Sequence, residues 1–329
     1  MLHFMAVVPP EWRFRFMGSP ESVAFVNKSS AIREMVRIGK LDLTYIPETM
    51  VDPKSQEDIS KFLTTLELYE TILQPAEHLL VFQTDSMLCA NSMMSLDDYL
   101  DYDWVGAPWN PEGRWGGNGG LSLRKVSAII DILRNQERTP KEENGGGVPE
   151  DVWLAERLAM RPNAKMANGT VSIFFSGEMH GGPPTTVKPA QASKIPEADR
   201  IKHAAGEGID SDATVAEASD VDLWRNGFYE PMGYHTGDNG RTLHSAIWGT
   251  PALRKHVWDY CPEVKLIFEM DAAEYVPGEC NANWRRDLPE FFESREEHYE
   301  METGLQRRWD PENTDEEGYP YLPAGLIPW

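Results

Sequence analysis

The chain is poor in cysteine, with Cys89, Cys261 and Cys280 the only three among 329 residues. Their spacing matches no metal-binding pattern, and an odd count forms no closed disulfide framework. One bridge is compatible with the count, but buried free thiols are the expectation. The sequence also lacks any apolar run near the roughly 18 residues of a membrane span, so no spanning segment is expected. The opening MLHFMAVVPP has no basic n-region and stops at two prolines, unlike a signal peptide. The chain therefore reads as soluble as it stands. Its localisation is open, and a Golgi or secretory setting would require an anchor upstream of Met1. Two glycosylation sequons, at Asn27 and Asn168, matter only in such a compartment.

Positive charge is scarce too. Lys and Arg number 31 against 53 Asp and Glu, a net charge of −22 with pI near 4.7. A surface this acidic repels phosphate backbones, which excludes nucleic acid as a broad partner. A nucleotide needs only a local positive or metal-bearing pocket and is not excluded.

What the chain does have is a globular composition, 41% hydrophobic, and loop-forming residues in quantity, 26 Gly and 24 Pro. Its length suits one large α/β domain or two small ones. Short strands are expected at Arg13–Met17 and Leu41–Ile46, with a helix between them at Ala31–Ile38, closed by Gly39. Apolar residues at Ile59, Phe62, Leu63, Leu66, Tyr69 and Ile72 describe one face of a long helix from Gln56 to Leu73. HLLVFQTDS then runs apolar and ends abruptly in polar residues, as a buried parallel strand opening onto a site would. WVGAPW reads as another strand, WGGNGG as a tight glycine loop, and LSLRKVSAIIDILRN as helical beyond its first residues. PEDVWLAERLAMR starts a helix, with Pro149 early and Glu150 and Asp151 at the positive end. Met166–Phe175 is expected to return to the sheet, and Thr250–Tyr260 to be helical. This alternation predicts an α/β fold with a mostly parallel central sheet and helices on both faces.

Four parts follow from composition. Residues 1–182 form an α/β core, 183–220 a flexible low-complexity insertion, and 221–286 the rest of the core. Residues 287–329 form an irregular tail with twelve acidic and three basic residues. The insertion carries too few apolar side chains to offset the entropy of ordering it.

Four pieces carry chemistry: Gln83-Thr84-Asp85-Ser86 at a strand end, Gly116 to Arg124, Pro149 to Trp153, and Met232 to Gly237. Singly each has a plain structural reading. Asp85 caps a turn, the glycines serve a bend, Glu150 and Asp151 complement a helix dipole, and His235 is a satisfied loop histidine. In order and spacing, VFQTDSMLC, YDWVGAPW, GGNGGLSLRK and PEDVW together resemble a fungal family known as domain of unknown function 5672, regarded as glycosyltransferase-like. FFSGE and MGYH are similar to its later segments.

The resemblance implies a GT-A-type nucleotide-sugar transferase, here apparently without its first strand. It implies transfer of a hexose from a nucleoside-diphosphate sugar to a hydroxyl on a glycan or protein acceptor. Asp85 and His235 would hold a divalent metal, for which manganese is the expectation. Gln83, Thr84, Ser86, Trp109, Gly116, Gly117, Asn118, Gly119, Gly120 and Arg124 would line the substrate pocket. Asp151, beside Glu150, would act as the base. The acidic motif is Gln-Thr-Asp where GT-A enzymes use Asp-x-Asp. Asp85, Asn118, Asp151 and His235 are expected to meet in one cleft. Two other classes fit less of the pattern. One is a catalytically degenerate carbohydrate-binding module using the tryptophans near the glycine loop. The other is a glycoside hydrolase built on a carboxylate pair.

Overall fold

A computed structural model describes residues 1–51, 53–113, 115–139, 142, 147–182 and 228–269. The expected insertion at 183–220 and the acidic tail at 287–329 lie outside the described residues, as does Cys280.

The chain opens with helix α1 (Leu2–Val7), then strand β1 (Phe14–Gly18), helices α2 (Pro20–Val26) and α3 (Ser30–Arg37), and strand β2 (Leu41–Tyr45). β1 and β2 pair in parallel, the two helices forming the crossover. Ser19 and Ser29 cap α2 and α3 by accepting the N–H groups of Ser22 and Ile32. Helix α4 (Gln56–Leu63) starts in a capping box between Ser55 and Asp58. It ends well short of Leu73. A single π-helical turn, Leu68–Ile72, carries on the apolar face after a break.

Strands β3 (His78–Phe82), β5 (Trp104–Ala107) and β6 (Asn118–Lys125) form a sheet in the order β3-β6-β5, antiparallel throughout. β4 (Ser86–Leu88), β7 (Ser176–Gly177) and β8 (Gly233–His235) form another, with β8 in the middle, antiparallel to β4 and parallel to β7. The fold is therefore mixed α/β built on small sheets, and the expected mostly parallel central sheet is not found among the described residues. The inference failed at HLLVF. An apolar run reports that both faces of a strand are covered, not which way its neighbour runs. β3 is in fact half-buried and pairs antiparallel with β6.

The further α-helices among the described residues are α5 (Val126–Leu133), α6 (Glu150–Ala159), α7 (Gly169–Phe175), α8 (Ser245–Trp248) and α9 (Pro251–Tyr260). α7 stands where Met166–Phe175 was expected to be a strand. The Asn168 side chain explains the difference, accepting the Val171 N–H at 2.9 Å as a helix cap. β6 takes Asn118–Gly120, which read as part of a glycine loop, and runs on to Lys125. α5 then begins beyond the first residues of LSLRKVSAIIDILRN, as expected.

The β3-β6-β5 sheet separates two cores. Val105, Leu121 and Leu123 face one that includes Phe4, Tyr234, Trp248 and Tyr260. Trp104 faces the other, with Ile129, Trp153 and Leu158. Two-residue alternation along β5 produces this division. A disulfide joins Cys89, just after β4, to Cys261 at the end of α9, across 172 positions. The expectation of free thiols is corrected for these two residues. Their distance in sequence gave no hint of the pairing.

Candidate functional site

The site forms where β3, β4, β6 and β8 meet. Asp85 lies between β3 and β4 and is only 5% exposed. Its Oδ2 accepts the Asn239 amide N–H at 3.0 Å. Its backbone carbonyl accepts from Thr236, through the amide N–H at 3.0 Å and Oγ1 at 3.2 Å. The turn supplying Asn239 runs through four positive φ values, at Gly237, Asp238, Asn239 and Gly240. Gly, Asp and Asn are the residues that tolerate this conformation. Strained backbone of this kind persists only where its surroundings hold it.

His235 ends β8 and pairs in register with Ser86. Its Nε2 is 3.4 Å from Oδ1 of Asp85, and its Nδ1 is 3.2 Å from Oε1 of Glu178. Neither ring nitrogen makes a well-aligned hydrogen bond, although the side chain is buried. Burial disfavours the imidazolium, but the two carboxylates outweigh it and push His235 up to about 9. For Asp85, burial opposes ionisation. The His235 contact and the Asn239 amide outweigh it and hold the carboxyl below its ordinary value.

The glycine strand passes between two groups of side chains. A Cβ on Gly120 would lie 2.3 Å from Nε2 of His235. A Cβ on Gly119 would lie 2.7 Å from Oε1 of Glu150, 2.8 Å from Nη2 of Arg124 and 3.0 Å from Cβ of Asp151. Successive strand residues point to opposite sides. The Glu150–Asp151 pair and the Asp85–His235 cluster therefore flank the same two glycines from opposite sides. Asp85, Asn118 and His235 come together as expected. Asp151 is close by but across the strand, so the four residues do not share one cleft.

Asp151 sits in the first turn of α6, and both its oxygens are engaged. Oδ2 accepts the Gly119 N–H at 2.9 Å and Oδ1 accepts the Val152 N–H at 2.8 Å. Burial raises its carboxyl, and the neighbouring Glu150 charge adds to the rise against the pull of those amides. Arg124 has no exposed surface. It donates to Glu150 at 2.8 Å, to the Gly119 carbonyl at 3.2 Å and to Ser122 Oγ at 2.9 Å, and it stacks over Trp104 at 4.4 Å. It braces the glycine strand from within the core.

Gln83 and Thr84 are exposed, with Thr84 Oγ1 3.3 Å from Asn239 Oδ1. Ser86 is buried and donates to the Gly120 carbonyl at 2.7 Å. Trp109 is half-buried, its ring packed where a side chain on Gly116 would stand. Gly116 and Gly117 both have positive φ, so the bend before β6 depends on them. Beyond Trp109 an open cleft of about 390 Å³ is lined by Asn110, Glu112, His180, Gly181, Gly182 and Ala246.

Two members of the site were not foreseen. Glu178 follows β7, where FFSGE was noted only as a segment. Asn239 sits in a turn whose Asp-Asn-Gly sequence marks the bend but not its contact with Asp85.

Among the described residues, no group of three or more His, Cys, Asp or Glu is arranged around a common metal position. The two donors Asp85 Oδ1 and His235 Nε2 still fit one divalent cation. Ligands about 2.1 Å from a metal lie roughly 3.0–3.4 Å from each other in octahedral or tetrahedral geometry. The separation is 3.4 Å, and the buried nitrogen lacks a good hydrogen bond. Such a half-site suits a cation that completes its shell with water and substrate phosphate oxygens.

Residues 40–188 match the model of a family described as Protein of unknown function (DUF5672). That span takes in Asp85, the glycine strand, Asp151 and Glu178, and leaves out His235. No curated protein and no solved structure shows a significant match.

Proposed function

We propose that this protein transfers a hexose from a nucleoside-diphosphate sugar to a hydroxyl acceptor on a glycan or protein. The observation that carries the reading is the Asp85–His235 pair, 3.4 Å apart and buried against the glycine strand. The fold gives the reading no support, since the sheet is not the parallel one expected of a GT-A enzyme.

Asp85 and His235 would hold a divalent cation, manganese in the first instance, which when bound neutralises charge on the diphosphate. Gly119 and Gly120 leave room for Glu150, Arg124 and His235 to pack directly against the strand backbone. The cleft past Trp109 is the proposed acceptor position, with Asn110, Glu112 and His180 as hydrogen-bonding groups. In transfer, the acceptor oxygen bonds to the anomeric carbon, the bond from that carbon to the diphosphate oxygen breaks, and the acceptor proton passes to a carboxylate. Asp151 is the sequence's candidate for that proton, burial and Glu150 raising its affinity for it. It stands across the glycine strand from the Asp85–His235 pair, so the role requires the acceptor to reach that side. A second reading has a specific observation behind it. With both oxygens on backbone amides, Asp151 would serve as the clamp that fixes Gly119.

No helix of the described residues is long and apolar enough to cross a membrane. The Cys89–Cys261 bond suits an oxidising compartment, so a secretory setting belongs to this proposal.

Calorimetric titration of UDP- and GDP-sugars, with and without manganese, tests the reading. Manganese-dependent binding that Asp85→Asn weakens, with the melting temperature unchanged, is the expected result. Binding indifferent to manganese removes Asp85 from a metal site. Sugar binding without nucleotide binding moves the protein to the carbohydrate-binding class.

A further inference from the structure

Glu178 had no assigned role, yet it occupies a defined place in the site. It follows β7, whose pairing with β8 sets Ser176 beside Gly233 and Gly177 beside Tyr234. Glu178 is the residue after that pairing, and its side chain meets His235. β4 approaches β8 from its other edge, with Ser86 beside His235 and Asp85 just before it. The imidazole is thus flanked by a carboxylate just before β4 and one just after β7, one at each ring nitrogen. Oε1 of Glu178 lies 3.2 Å from Nδ1 and also accepts the Asn118 Nδ2–H at 3.2 Å. The Glu178 side chain is 11% exposed and that of His235 is 5% exposed, so solvent competes little for either.

A histidine that binds a metal through Nε2 must carry its remaining proton on Nδ1. An acceptor facing Nδ1 selects that tautomer, fixes the ring plane and makes Nε2 the stronger donor. We propose that Glu178 is the positioning residue of this site, holding the Nδ1–H of His235 so that Nε2 faces the Asp85 carboxylate and a divalent cation between them. Through Asn118 the same oxygen ties the ring to the start of the glycine strand. Asn118 Oδ1 in turn accepts the Gly120 N–H at 2.6 Å. Ring, amide and strand form one chain of contacts, and Glu178 is its middle link. The inference rests on the reading of Asp85 and His235 as cation ligands.

The test is manganese binding by electron paramagnetic resonance, with UDP or GDP present, for the wild type, Glu178→Gln, Glu178→Ala and His235→Ala. Nitrogen-15 and proton spectra of the histidines in the zinc-loaded protein, zinc being a diamagnetic ion that binds imidazole, run beside it. The expected loss of manganese affinity is about 10–100-fold for Glu178→Ala, the usual effect of removing a carboxylate behind a ligating histidine. Glu178→Gln keeps the size of the side chain and guards against misfolding. Its expected signature is an upfield shift of the His235 Nδ1–H proton as the carboxylate acceptor is replaced by an amide, a change that general loosening does not produce. If both Glu178 variants bind manganese as tightly as the wild type while His235→Ala does not, the role of Glu178 is overturned and the metal reading stands. If the wild type itself binds no manganese with either nucleotide, both fall together.

Discussion

Asp151 and Gly119 are joined by a 2.9 Å hydrogen bond from the glycine amide to Oδ2, on the side of the glycine strand away from His235. The two readings of Asp151 separate cleanly under Asp151→Asn. If Asp151 takes the acceptor proton, transfer slows by roughly 10²–10⁴-fold and donor binding is unchanged. If it is only a clamp, the retained amide oxygen keeps one bond and transfer stays near wild type. Stability then falls by about 1 kcal/mol for the lost cap. The measurement is a transfer assay beside urea denaturation.

The Arg124–Glu150 pair, 2.8 Å apart with Arg124 wholly buried, makes a different prediction. Glu150→Ala strands a guanidinium in the core and is expected to cost about 3–5 kcal/mol. The double variant Arg124→Met/Glu150→Leu removes both charges and is expected to recover most of that loss. Chemical denaturation of the three proteins checks the expectation. If the single and double variants are equally unstable, packing against Trp104 matters more than charge.

The local elements were largely legible because their signals are local. The helix expected from Gln56 starts there, behind the Ser55–Asp58 capping box, and the helix expected over Thr250–Tyr260 runs from Pro251 to Tyr260. The sheet order was not legible. Nothing in HLLVF or GGLSLRK states whether the two strands run together or opposed, since both readings bury the same side chains. The site was half legible. Asp85, Asn118 and His235 could be named from motif order. Their separation from Asp151 depends on Gly119 and Gly120 pointing to opposite sides of one strand, a matter of register. Glu178 was missed because its role depends on the pairing of β7 with β8, reached across residues that carry no motif.

Stability should depend on pH through His235. Its ordinary value is 6.5 and the folded value about 9, so the folded state favours the imidazolium. That contribution is fully present below pH 6.5 and is lost as pH rises through about 9. At about 1.4 kcal/mol per pH unit it amounts to roughly 3 kcal/mol. Asp85, held below its ordinary 3.8, acts at the other end, its contribution fading as pH falls through the acid range. Both report the same pair and are not additive. Urea unfolding with chelator present, from pH 6 to 9.5, should show the decline in the wild type and a flatter curve in His235→Gln. Parallel curves would mean the pair contributes little.

The last prediction uses two single methyl groups to address the two sides of the strand. A Cβ on Gly120 would stand 2.3 Å from Nε2 of His235 and 2.7 Å from the adjacent ring carbons, so Gly120→Ala must drive the imidazole from its place. A Cβ on Gly119 would meet Oε1 of Glu150 at 2.7 Å and Cβ of Asp151 at 3.0 Å, leaving His235 untouched. Gly120→Ala is therefore expected to weaken manganese binding at least about tenfold, the scale set by disturbing a ligand's support. Gly119→Ala is expected to keep manganese binding and lose transfer, if the acidic pair takes part in the chemistry. Both methyls are forced into packed surroundings, so each variant should also lose about 1–3 kcal/mol of stability. That shared loss makes each variant the control for the other. A manganese defect in Gly120→Ala alone assigns the cation to the His235 side. Equal manganese affinity in both variants would show that the ring does not hold the cation. Unchanged transfer in Gly119→Ala would confine Glu150 and Asp151 to bracing the strand.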